Sequence, residues 1–80
     1  MPRYFFDLHD HKRDADDEGT ELANDDEARV QAIIFTGDYL RDHPQLVSNG
    51  SRFRVALRDE ADALLLNVVV TAENPCEPRD

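Results

Sequence analysis

The sequence predicts a small α+β domain, ββαββ, in which one helix packs on one face of a four-stranded antiparallel sheet. Three observations predict it. Residues 24–43 are the only long segment with helical periodicity. The segments before and after it alternate apolar and polar side chains with the period of a strand. At 80 residues the chain makes one domain, which buries roughly 60% of its unfolded surface around a small core.

Arg3 to Asp10 turns Tyr4, Phe6 and Leu8 to one face and Arg3, Phe5, Asp7 and His9 to the other, and reads as the first strand. His11 to Gly19 carries no apolar side chain larger than alanine and reads as a loop or ragged hairpin tip. Thr20-Glu21-Leu22 is a short second strand suited to a sheet edge. The helix starts at Asn24, which with Glu27 matches a capping box, and Asp25, Asp26 and Glu27 complement the positive end of its dipole. It stops at His43, because Pro44 disfavours the α region for the residue before it. Ala28, Ala32, Phe35 and Tyr39 form the core stripe, widened by Thr36, Leu40 and Ile33. Gln45 to Gly50 is a connector that tucks Leu46 and Val47 under the domain. Ser51 to Asp59 is a half-buried third strand with Phe53, Val55 and Leu57 inward. After a polar turn, Ala63 to Ala72 is the fourth, with Leu64, Leu66, Val68 and Val70 inward and Leu65, Asn67, Val69 and Thr71 outward. Strand directions that alternate along the chain give the spatial order 2-1-3-4, with 1-2-4-3 as the alternative under the same rule. Residues 1–72 form the domain, and 73–80, with two prolines and mostly polar residues, read as a disordered tail.

Eighteen acidic residues against nine basic give a formal net charge of −9, which opposes phosphate backbones and anionic membrane surfaces. Arg52, Arg54 and Arg58 make a basic stripe on the third strand, but the outward positions between them offer only Ala56 and no aromatic to stack on bases, so no nucleic-acid partner is expected. No apolar run reaches membrane-spanning length and the N-terminus has no leader pattern, so neither membrane insertion nor export is expected. Cys76, the one cysteine, has no internal partner, and a reducing cytoplasm is the expected location.

Met1-Pro2-Arg3-Tyr4-Phe5-Phe6-Asp7, then Asp17-Glu18-Gly19-Thr20-Glu21-Leu22, then an alanine-bearing helix, then Arg58-Asp59-Glu60-Ala61 between two strands, resembles a family of short bacterial proteins common in rhizobia and their relatives. That family carries a domain of unknown function. The resemblance covers roughly residues 1–72 and implies no activity, cofactor or site residue. The chain departs from the family at His11 and Lys12, where members often carry a Gly-containing turn.

Two constellations offer metal chemistry. Asp14, Asp16, Glu18 and Gly19 stand at the first, third, fifth and sixth positions of a calcium loop and Asp25 at the twelfth. A strand precedes the loop where an EF-hand has a helix, and Glu21 fills an apolar position. Asp7, His9 and His11 share one strand face, a set suited to zinc. The bland reading of both is a solvated hairpin tip. Catalytic equipment is poor. Ser48 and Ser51 lack a nucleophile elbow, no glycine-rich phosphate cradle exists, and one helix over one sheet leaves little room for a pocket of ~300 Å³, so no enzyme and no cofactor are expected. Leu65 and Val69 on the outward face of strand four, and Val30 and Ile34 on the polar side of the helix, are apolar candidates for an interface. The leading expectation is a self-associating interaction module, a homodimer or the partner of another protein. A divalent-cation module using loop 10–25 is second, and a toxin-neutralising or transcriptional regulator, by fold analogy alone, is third.

Overall fold

The structure, a computed structural model, describes residues 1–10, 13–48, 50–73 and 75, with the backbone only at Arg13. The chain runs β1 (Arg3–His9), β2 (Arg13–Asp14), β3 (Thr20–Glu21), α1 (Asp25–Asp42), α2 (Gln45–Ser48), β4 (Arg52–Arg58) and β5 (Leu64–Thr71). All strand pairs are antiparallel. β4 lies between β1 and β5, and the far edge of β1 is shared by β2 at one end and β3 at the other. The expected order 2-1-3-4 is therefore the observed one, with the second strand present as two fragments. β2 falls in the stretch expected to be loop. Residues 74 and 76–80 of the expected tail, with Cys76 among them, lie outside the described residues.

Helix α1 begins as its sequence dictates. Asn24 has extended backbone, its Oδ1 accepts the Glu27 N–H at 2.9 Å, and Glu27 Oε1 accepts the Ala23 N–H at 2.8 Å. At the other end the His43 N–H donates to the Tyr39 and Leu40 carbonyls. Its fully buried residues are small: Ala28, Ala32 and Thr36, the last satisfied by donation to the Ala32 carbonyl at 2.7 Å. Small side chains let the helix sit close over β4 and β5, and the half-buried rings of Phe35 and Tyr39 reach past them to Phe6 and Phe53. Ile33 is corrected. Expected at the margin of the core stripe, it is 58% exposed, because the sheet covers only the strip through the two alanines and Thr36. The connector holds a short helix, α2, with Leu46 and Val47 half-buried as expected.

The core cluster is Tyr4, Leu57, Ala28 and Ala32, against which Phe6, Leu22, Leu65, Leu66 and Val68 pack. In β4, Phe53, Val55, Ala56 and Leu57 are all buried, as suits a central strand. In β5 the alternation breaks once. Val70, Val68 and Leu66 lie opposite Phe53, Val55 and Leu57, and then a register shift between Leu57 and Arg58 pairs Arg58 with Leu64. One extra residue therefore stands on β5, as in a β-bulge. The shift reverses two expectations: Leu65 packs against the core cluster, and Leu64 is 57% exposed.

Candidate functional site

The back of the sheet is organised by Arg58. Its Nε donates to Asp7 Oδ2 at 2.7 Å and its Nη2 to Asp7 Oδ1 at 3.1 Å, a two-point grip on a carboxylate that is 1% exposed. The same guanidinium donates to Asp62 Oδ1 and to the Asp16 carbonyl, and lies 4.9 Å from the Phe5 ring centroid. The Asp7 and Asp62 carboxylates raise the Arg58 pKa further above its ordinary value, against the pull of burial. Arg54 lies alongside, donating to His9 Nδ1 at 3.0 Å and to Asn67 Oδ1 at 3.3 Å. The basic stripe is in large part an internal cross-strand network.

The loop between β2 and β3 is tied to this network by Asp16. Its N–H donates to Asp7 Oδ1, its Oδ2 accepts the Phe6 N–H, and its Oδ1 accepts the N–H groups of Glu18 and Gly19. Burial pulls its pKa up, but the backbone donors from Gly19, Glu18 and Phe6 outweigh it and hold the carboxyl below the usual range. Asp16 thus serves β1 where neither β2 nor β3 reaches. Gly19, at φ +77°, closes the loop so near β1 that a Cβ there would stand 2.6 Å from Arg3 Cγ.

The metal candidates fall into this scaffold. Asp7 is gripped by Arg58, His9 Nδ1 faces Arg54, and His11 lies outside the described residues. Asp25 accepts the Tyr4 hydroxyl proton at 2.7 Å, which with burial pushes the phenol up to about 12. The Glu18 carbonyl accepts from Arg3, and Asp14 is exposed. Among the described residues no three His, Cys, Asp or Glu side chains form a group that could hold a metal ion. The structure does not bring Asp14, Asp16, Glu18 and Asp25 together around a common point.

Two surface features remain. The first is β5. Among the described residues nothing pairs with its outer edge. It carries no charged residue and no proline, none of its residues is fully buried, and Leu64 and Val69 are exposed. Val30, Ile33 and Ile34 make a separate exposed group on α1. The second is a cleft of about 420 Å³ between α1, β1 and the loop. Phe6, Leu8 and Phe35 form its apolar wall, and Asp14, Asp16, Thr20 and Gln31 its polar one. A cleft of this size corrects the expectation that one helix over one sheet leaves little room for a pocket of ~300 Å³. Asp14, Ala15 and Asp16 supply the wall that α1 and β1 alone would lack.

The family model described as a domain of unknown function, DUF6894, matches residues 3–71. The chain belongs to this family. The matched span runs from the first residue of β1 to the last of β5, so the DUF6894 domain is the whole sheet with its helix. No curated protein and no solved structure matches the chain. No helix of this DUF6894 chain is long and apolar enough, among the described residues, to cross a membrane.

Several of the residues that matter here escaped the sequence reading. Leu64 was hidden by the bulge. Ile33 carried a signal, since Val30, Ile33 and Ile34 stand at i, i+3 and i+4. Phe6, Leu8, Gln31 and Phe35 were legible as strand and helix residues, but no local pattern marked them as a cleft.

Proposed function

We propose that this DUF6894 chain is a non-catalytic module that works by associating with a second copy of itself along the outer edge of β5. One observation carries the reading: the most apolar strand of the sheet is an edge strand. Natural sheets blunt an edge with charge, proline, a bulge that twists it away, or brevity. β5 runs for 8 residues, and its one irregularity lies at its start, leaving Leu66 to Thr71 regular against β4. Antiparallel pairing of β5 with its copy about a two-fold axis satisfies its outer N–H and C=O groups and covers Val69 and Leu64 at one stroke. The groups that the sequence offers for chemistry, Asp7, His9 and Asp16, are engaged in holding the sheet, which supports a non-enzymatic role. With a net charge of −9 and with Arg54 and Arg58 of its basic stripe engaged internally, the module takes protein rather than nucleic acid or membrane as its partner, within the cytoplasm.

Sedimentation velocity at micromolar concentration tests this. The wild type is expected to sediment as a dimer and Val69→Asp as a monomer. Val69 lies opposite Arg54, so the new carboxylate gains a cross-strand partner and the fold is retained, while each copy sets a charge against the apolar edge of the other. Monomers for both proteins would end the proposal.

A further inference from the structure

On the side of the domain away from β5, the cleft between α1 and the loop combines an apolar interior with a rim whose charged side chains, among the described residues, are carboxylates. Phe6 and Phe35 stand 5.9 Å apart, centroid to centroid and tilted by 39°, with Leu8 beside them. The charged side chains lining the cleft are Asp14 and Asp16, flanked by the Gln31 amide. Asp16 is fixed in place by the backbone N–H groups of Phe6, Glu18 and Gly19, so its negative charge is preorganised rather than free to swing into solvent. The volume of about 420 Å³ lies within the range of small-molecule sites, about 300 to 1,000 Å³.

We propose that this cleft binds a small organic cation, an amine joined to an aromatic or branched alkyl body. The body fills the space against Phe6, Leu8 and Phe35, and the ammonium sits at the rim between Asp14 and Asp16. An anionic ligand meets two carboxylates and a chain of net charge −9. A bare metal ion leaves the apolar wall uncovered, and the described residues group no three ligands for it. The site shares no residue with the β5 edge, so occupancy and self-association are separate properties.

Titration of the full ¹⁵N-labelled chain with phenethylamine, with phenylacetate and ethylamine as controls, tests the inference. Saturable shifts are expected at the amides of Phe6, Asp16, Gly19 and Gln31 with phenethylamine. Phenylacetate, which has the same body and the opposite charge, should bind at least about tenfold more weakly, the factor carried by one charge-assisted contact, and ethylamine, which has the head alone, at least about tenfold more weakly through the lost apolar burial of the ring. Asp14→Asn, an exposed position, should weaken phenethylamine by about the same factor. Ala15→Trp, which fills the cleft from its exposed rim, should abolish binding while the melting temperature holds. Val69→Asp should bind as the wild type does. No saturable shift at millimolar phenethylamine, or equal response to phenylacetate, would overturn the proposal whatever the oligomeric state.

Discussion

On its β1 side the sheet ends in two strands of two residues each, and on its other side in one strand of eight. Both edges face the same problem, a row of backbone donors and acceptors without a neighbouring strand. At β1 the chain solves it internally. β2 and β3 pair with the two ends of the strand, and Asp16 accepts the Phe6 N–H between them. Arg58 then clamps the arrangement by gripping Asp7 and the Asp16 carbonyl together. At β5 no such device exists among the described residues, and the side chains are Leu, Val, Asn and Thr. The contrast locates the edge on which the proposed association rests. An edge closed by charges and ion pairs resists a second chain, whereas an apolar edge of this length invites one.

The largest effect should come from breaking the clamp. Arg58→Ala leaves Asp7 buried with its principal counter-charge gone, and a loss of about 3 to 5 kcal/mol is expected by urea denaturation, with the β1 edge opened. Gly19→Ala forces a side chain into left-handed backbone and against Arg3 and Phe5. It should cost about 1 to 3 kcal/mol and loosen the same loop. Asn24→Ala, which removes the acceptor for the Glu27 N–H just beyond β3, should cost about 1 kcal/mol. Tyr4 gives the smallest effect at neutral pH and a specific one in alkali. Because its hydrogen bond to Asp25 raises its pKa in the folded state, the stabilisation is complete below pH 10.0 and is lost as the pH rises toward about 12. Melting curves across that interval should decline for the wild type, and the Tyr4-dependent part of the decline should vanish in Tyr4→Phe.

How much of this was legible depends on the range over which each feature is determined. The start of α1 was readable because Asn24 and Glu27 act within one turn, and the fold class because the periods of β1, β4 and α1 are local. Leu64 and Leu65 were misassigned because a bulge inserts one residue, and a shift of one residue exchanges the two faces of a strand. Ile33 was placed in the core because periodicity locates a stripe but not how much of its margin the sheet covers. Asp16 looked like one ligand in an acidic loop. Its role as a stand-in for strand pairing depends on Phe6, Asp7 and Arg58, which lie far from it in sequence. The cleft arises only when the loop, β1 and α1 converge, so its lining carried no signature in any one segment.

Amide hydrogen exchange as a function of protein concentration reads both edges at once and tests the central claim most directly. Self-association through β5 predicts that outward-facing amides within Leu64–Thr71 gain protection as concentration rises through the micromolar range, while the amides of β2, β3 and the loop between them stay unchanged. Protection at β5 that is independent of concentration, or a gain confined to the β1 side, would contradict it.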